Sequence, residues 1–296
     1  MFFKNVMIFK LTEAWLMSAE QLSEKLQLAQ FKPCGPHDYI SKGWVSLITN
    51  SENLVHSANG YMMVRLHCEE KILPSSVVND ILKNKVSEIE KLESRRLSKK
   101  ERTEIKDEII FDSLPKAFTK SSDLYAYIDV KNGWIVIDTA SSNKAESLLS
   151  LLRKCLGSLP VVPLNTVDTP KVILTHLLEG ILVNKLFFKG NDCVLKDEES
   201  GVVRFKNLDL SMPEVIEHLS TGKYVSQLAF EFDNRLSFVL DDSLTVRRLK
   251  FLDLALEPLL NQDAETEAER FDADFAIMTF ELSGFIECLI QLFGGI

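Results

Sequence analysis

Two short turn sequences constrain the fold of this chain most, because each forces the strands beside it to run antiparallel. Asn-Gly at 132–133 lies inside a β-rich segment, 124–138, and Asp-Asn at 233–234 lies inside another, 224–240. Asn, Asp and Gly tolerate the positive φ angles that tight hairpin turns require. The sequence therefore predicts an α+β fold of mostly antiparallel sheets with packed helices.

The segment 75–114 has the apolar pattern of helices. Spacings of three and four recur up to residue 92 and then break. Ser98 stands three residues before Glu101, which is the spacing of a capping box at a helix start. We therefore expect two consecutive helices joined by a short turn, or one long kinked helix.

The best candidate for a domain boundary is the segment 159–164, which two prolines hold in an extended conformation. The sequence predicts an N-terminal α+β domain, a helical arm with a basic turn, and a C-terminal α+β domain. Their predicted bounds are 1–74 plus 115–160 for the first, 75–114 for the arm, and 161–296 for the last.

Cysteine usage and apolar stretches indicate a cytoplasmic protein. The five cysteines are odd in number and scattered, without a Cys-x-x-Cys pair, which is typical of reduced thiols. The N-terminus does not resemble a signal peptide. Glu281 and Glu287 interrupt the longest apolar stretch, 275–293, so its helical stripe predicts a core or subunit-packing helix rather than a membrane span.

Charge is distributed unevenly along the chain. The net charge of −9 argues against a simple basic nucleic-acid binder. Residues 94–106, however, carry six cations against two glutamates, a net +4. The cations are Arg95, Arg96, Lys99, Lys100, Arg102 and Lys106. Charge alone favours two interpretations equally: a surface that neutralises phosphates, or a solvated helix end.

Two lysines continue this basic region after Pro115. Lys116 and Lys120 flank Phe118, in a segment that we expect to be a loop. An exposed Phe118 could stack on a base or fill a pocket of a partner subunit, whereas the commoner role of phenylalanine is to anchor a core.

Motifs for nucleotide or acyl chemistry are absent from the sequence, which has no P-loop, no Gly-x-Gly-x-x-Gly and no Gly-x-Ser-x-Gly. A zinc site would need Cys34 with His37, and His67 with Cys68. The second pair is adjacent, and neighbours on a strand point to opposite faces. We therefore expect no metal and no cofactor.

A metal-dependent nuclease is the enzyme that the sequence could best support. Such sites combine carboxylates with an Asp/Glu-x-Lys element. Three such triplets occur, at 69–71, 104–106 and 129–131, and Asp123 lies upstream of the last. With 43 acidic residues and 24 lysines, random order gives about three or four of them. The sequence therefore predicts no catalytic residues.

Eight strings, spread from the first residues to the last, carry a family resemblance. They are FKN (3–5), FKPCG (31–35), HSANG (56–60), EEKILPSSVV (69–78), LPKAF (114–118), LLRKCLGSLPVVPL (151–164), RRLKF (247–251) and RFDADF (270–275). In order and spacing they resemble the RdgC family of bacterial recombination-associated proteins.

The resemblance implies a fold and a function. Two curved, multi-domain subunits would close into a ring-shaped homodimer with a positively lined hole and an acidic exterior. Each subunit would then carry two self-complementary interfaces. The ring would bind single- and double-stranded DNA without sequence preference, restrain RecA-promoted strand exchange, and associate with the nucleoid. The alternatives are a nuclease and a scaffold that contacts only recombination proteins through its acidic face.

The resemblance also assigns roles to residues. Lys116 and Phe118 match an LPRAF-type loop, with lysine replacing arginine, whose phenylalanine packs across a subunit interface and gates the ring. The segment 206–208 is less basic here than in relatives, which leaves open whether it forms a latch or contacts DNA. The predicted DNA-binding residues are Arg95, Arg96, Lys99, Lys100, Arg102, Lys116 and Lys120.

Overall fold

A computed structural model describes residues 1–48, 52–197, 199, 201–260 and 266–296, the side chain of residue 260 excepted. Within these residues seven antiparallel strands form a first sheet in the spatial order β2-β4-β5-β6-β1-β7, and β3 also pairs with β4. The strands are β1 Met7–Leu11, β2 Ile40–Val45, β3 Val55–Ala58, β4 Tyr61–Ile72, β5 Phe118–Asp129, β6 Trp134–Ile137 and β7 Val161–Pro163.

A second antiparallel sheet has the order β12-β11-β10-β8-β9. Its strands are β8 Phe187–Lys196, β9 Val202–Phe205, β10 Tyr224–Phe232, β11 Leu236–Asp241 and β12 Val246–Phe251. Val6, just before β1, forms an antiparallel bridge to Val246 of β12. The two sheets are therefore connected by backbone hydrogen bonds near the N-terminus.

Eight α-helices occur in the described part of the chain. They are α1 Ala19–Gln27, α2 Ser75–Glu93, α3 Lys99–Ser113, α4 Ser142–Leu156, α5 Pro170–Glu179, α6 Pro213–Ser220, α7 Asp253–Leu260 and α8 Glu267–Leu292. A 3-10 turn at Leu114–Lys116 links α3 to β5.

The sheets and helices enclose two apolar clusters. Because side chains alternate along a strand, one face of the first sheet packs under α1 and α4, and the other packs with α8 and the second sheet. Helix α8 is long and apolar enough to cross a membrane by length and composition, and half of its apolar window is buried. The buried carboxylate of Glu281 accepts hydrogen bonds of 2.8 and 2.5 Å from Arg235. The apolar stripe of α8 faces the core, as predicted, since its buried residues include Phe275, Met278, Leu282, Phe285, Ile286 and Leu289.

The predicted α+β class with antiparallel sheets is confirmed. Residues 75–114 form two helices rather than one kinked helix, and α3 begins after Ser98, whose hydroxyl accepts from the Glu101 backbone N–H. Asp233 and Asn234 both have positive φ, as their turn requires. Strand β7 joins the first sheet through β1, and the division into domains stays a prediction.

Several local predictions were wrong. Phe118 and Lys120 lie on β5 rather than in a loop, because the long strand β4 supplies backbone partners: Ile72 lies opposite Phe118, and Glu70 opposite Lys120. The polar composition of this segment concealed a strand that pairing stabilises. The sequence also predicts separate strands at 184–189 and 193–196, which are the single strand β8 in the structure, and it does not predict β3 or α7.

Candidate nucleic-acid interface

Helices α2 and α3, with the turn 94–98 between them, form what we call the arm. Ser94 ends α2 in the left-handed conformation, with φ 52°, which reverses the chain. A helix of nineteen residues is about 28 Å long. We call residues 90–104, which include this turn, the arm tip. The turn is therefore separated from β4 by the length of α2.

Two of the arginines in the predicted basic region, Arg95 in the turn and Arg102 on α3, are bound by carboxylates. Arg95 lies 2.7 Å from Glu93 and 2.6 Å from Glu101, and Arg102 lies 2.9 Å from Glu90. Hydrogen bonds from Arg95 and Ser98 lower the pKa of Glu101 to about 2. Part of the positive charge that the sequence suggested is therefore neutralised within the arm tip.

The other cations of the arm tip are more available. Arg96 and Lys99 are exposed, and no carboxylate among the described residues lies within ion-pair distance of either. Lys100 is exposed and only loosely paired, 4.0 Å from Glu104. These three side chains are the ones through which the arm tip could contact phosphates.

The junction between the arm and β5 presents Lys116 and Phe118 to solvent. Lys116 is exposed at the end of the 3-10 turn, and Phe118 is 84% exposed. Beneath them the buried Lys71 donates a hydrogen bond of 2.9 Å to the Leu114 carbonyl, at the C-terminal end of α3. Phe118 therefore does not anchor the core of this chain, and its ring is free to pack against another surface.

Lys120 belongs to a group of residues that the sequence did not reveal. It lines a cavity of about 410 Å³ together with Lys42 of β2 and Lys144 of α4. The amine of Lys42 donates to the Ser147 hydroxyl at 2.7 Å, and the carboxylates of Glu70 on β4 and Asp123 on β5 belong to the same lining. We call this cavity, with Lys42, Lys120 and Lys144, the lysine pocket. The three lysines are far apart in sequence, and strand pairing and the packing of α4 bring them together.

The comparisons with known proteins cover the whole chain. A family model described as "Putative exonuclease, RdgC" matches residues 1–296. Proteins named "Recombination-associated protein RdgC" from Salmonella typhimurium and Salmonella typhi are 39% identical over 298 residues, which span all of this chain and 98% of each relative. The chain belongs to the RdgC family. The resemblance seen in the sequence is thereby confirmed.

The family description raises the question of nuclease chemistry in this RdgC-family chain. Asp129 is buried, and both of its carboxylate oxygens accept hydrogen bonds from Asn132 in the turn after β5. Asp123 is bound by Arg65 at 2.8 Å and His67 at 2.6 Å. Across the described residues no three His, Cys, Asp or Glu side chains form a group that could hold a metal. Among the described residues, Asp123 and Asp129 are therefore bound by neighbouring side chains and belong to no such group.

The residues considered for zinc have other partners in this RdgC-family chain. The Cys34 thiol donates to the Glu69 carbonyl at 3.3 Å, and the His37 ring stacks on Phe111 at 3.9 Å. His67 contacts Asp123, while Cys68 lines the lysine pocket. Burial raises the pKa of both thiols, which disfavours the thiolate that binds zinc.

Proposed function

We propose that this protein binds single- and double-stranded DNA without sequence preference, as a ring-shaped homodimer associated with the nucleoid. By occupying DNA it would restrain RecA-promoted strand exchange in recombination and replication-fork repair. The observation that carries the proposal is the lysine pocket: three lysines share one cavity on a chain of net charge −9. Membership of a family whose relatives are named for recombination supports the same function.

The chemistry of the pocket favours phosphates over bases. Lysine is a point charge that attracts phosphate from any direction, and phosphate contacts carry no direct information about sequence. Each contact releases counterions, so that binding weakens steeply with salt. The net charge of −9 repels DNA from the chain as a whole and so favours contact at the basic surfaces.

Binding of labelled duplexes and single strands of several unrelated sequences tests this function. We expect similar affinities for all sequences of one length, and equal inhibition of RecA strand exchange whichever sequence is used. Replacing Lys116 and Lys120 with glutamine should weaken every target alike. Absence of DNA binding at low salt would contradict the proposal and favour a scaffold that contacts proteins alone.

The exposed ring of Phe118 fits the proposed interface between subunits. Phe118→Ala should loosen the dimer under dilution and shorten its retention on circular DNA, because a large apolar contact is lost. Leu16→Ala is the control, since Leu16 is 91% exposed at a different place. A dimer and a retention time unchanged by Phe118→Ala would exclude the gating role.

We propose further that the protein has no nuclease activity. The candidate carboxylates are engaged in a turn and in ion pairs, as described above. Circular plasmid and linear duplex should therefore remain intact with magnesium or manganese. Cleavage that Asp129→Asn or Glu70→Gln abolishes would overturn this expectation.

A further inference from the structure

The second sheet has a face that carries an unusual density of cations. Residues of β8 to β12 alternate, so that Cys193, Leu195 and Leu228 face the core while their neighbours face outward. The outward side includes a cavity of about 420 Å³. Five cationic residues line it, and we call them the arginine face: Lys196, Arg204, Lys206, Arg247 and Arg248.

A β-bulge brings two consecutive arginines to this cavity. The pairing of β11 with β12 shifts register between Val239 opposite Arg247 and Ser237 opposite Lys250. Arg248 lies in the bulge with φ 53°, in the left-handed region that non-glycine residues rarely occupy. In a regular strand Arg247 and Arg248 would point to opposite faces, whereas here both line the cavity. Bulges often redirect side chains at functional sites.

Two carboxylates position these arginines. Asp241 is buried and accepts from the Ser243 and Thr245 backbone N–H groups, and it accepts from Arg247 Nε at 2.8 Å. Asp192 accepts from Arg248 at 3.0 Å, although Arg248 remains 62% exposed. Each arginine keeps donors that have no partner among the described residues. Guanidinium groups held in this way lose little further freedom when they bind an anion.

The remaining three cations are unpaired among the described residues. Neither Arg204 on the edge strand β9, nor Lys196, nor Lys206 lies within ion-pair distance of a described carboxylate. Arg204 and Arg247 lie on opposite edge strands, separated by four strand spacings of about 4.8 Å each, or about 19 Å. Five cations distributed over this surface can contact several phosphates at once, so the arginine face fits a polyanion.

We propose that the arginine face is a second contact surface for the phosphate backbone of nucleic acid, separate from the lysine pocket. This inference rests on the proposed DNA binding and assigns part of it to the second sheet. The cavity contains cations from three strands and no aromatic side chain except Phe205, so the surface contacts phosphates rather than stacked bases.

The test is the salt dependence of duplex binding by Lys196→Gln/Arg204→Gln in the full chain. Two lost phosphate contacts should lower the slope of log affinity against log salt by about 1.8. Lys25→Gln/Lys154→Gln removes the same charge from exposed positions on α1 and α4, and its slope should equal that of the wild type. Lys196→Arg/Arg204→Lys should also keep the wild-type slope, with the same thermal unfolding midpoint for all variants.

The outcomes separate this inference from the function on which it rests. The wild type could bind DNA while the Lys196→Gln/Arg204→Gln variant has the same salt slope as the control. That result would overturn the proposed role of the arginine face alone. Absence of salt-dependent binding by the wild type would overturn both proposals. Inorganic phosphate at constant ionic strength should not displace DNA, and displacement would indicate a site for a small anion instead of a polymer.

Discussion

The arm tip and the lysine pocket hold positive charge in different ways. At the arm tip, Arg95 and Arg102 are bound by Glu90, Glu93 and Glu101 within a single helical hairpin. In the lysine pocket, lysines from two strands and a helix share one cavity. A run of cations in a sequence therefore overstates the charge that is available to a ligand, because some of these cations form ion pairs in the fold. Cations that a sheet brings together, in contrast, cannot be recognised as a group from the sequence.

The largest effect on DNA affinity should come from the lysine pocket. Lys42→Gln/Lys120→Gln/Lys144→Gln removes three cations from one concave surface, and we expect affinity at about 0.1 M salt to fall about a hundredfold. Equilibrium binding of a labelled duplex measures this. The charge-matched control is Lys25→Gln/Lys154→Gln/Lys185→Gln, whose three lysines are exposed elsewhere. Equal losses in both triple variants would show that net charge alone matters.

A smaller loss should follow removal of the unpaired cations of the arm tip. Arg96→Gln/Lys99→Gln should weaken binding about tenfold, because these two side chains are exposed without carboxylate partners. Arg95→Gln/Arg102→Gln is the matched comparison and should have a weaker effect, since its charges are already neutralised. The same binding assay applies. If Arg95→Gln/Arg102→Gln lowered DNA affinity more than Arg96→Gln/Lys99→Gln, ion pairing within the arm tip would not determine which cations contact DNA.

Removing carboxylates from the arm tip should strengthen binding. Glu90→Gln/Glu93→Gln frees Arg102 and leaves Arg95 with a single partner, so we expect affinity to rise about threefold. Glutamine at 90 keeps an oxygen that can accept from the Leu97 backbone N–H. Glu13→Gln/Glu24→Gln controls for the change in net charge, because both side chains are exposed and neither forms an ion pair with a described residue. An equal gain in the control would assign the effect to long-range repulsion.

The smallest expected effect is on stability: the stabilisation that Glu101 contributes at the arm tip depends on pH. Arg95 and Ser98 lower the pKa of Glu101 from 4.5 to about 2 in the folded protein. A lowered folded pKa means that the stabilisation is fully present above pH 4.5 and is lost as the pH falls toward 2. The carboxyl chemical shift of Glu101 measures this by NMR. A titration midpoint near 4.5 would mean that the contact with Arg95 does not form in solution.

Local sequence signals predicted those elements whose structure depends on neighbouring residues. The capping box at Ser98 fixed the start of α3, and the Asp-Asn pair at 233–234 marked the turn between β10 and β11. Elements stabilised by distant partners escaped prediction. The first half of β5 is polar, and it is a strand because β4 pairs along its whole length.

The same limit applies to the candidate site. The sequence identified Lys120 but not Lys42 or Lys144, because their proximity depends on the pairing of β2, β4 and β5 and on the packing of α4. It identified Arg95 and Arg102 as cations but could not show that Glu90 and Glu93, in the last turn of α2, would bind them. Charge in a sequence is local, whereas its neutralisation depends on geometry.

The most direct test of the account is the salt slope of duplex binding, compared between the wild type and Lys42→Gln/Lys120→Gln/Lys144→Gln. If the three lysines of the lysine pocket contact phosphates, log affinity should fall linearly with log salt, at the same slope for every sequence. The variant's slope should then be shallower by about 2.7, which corresponds to three lost contacts. Identical slopes, or wild-type affinity that does not depend on salt, would contradict phosphate binding by the lysine pocket.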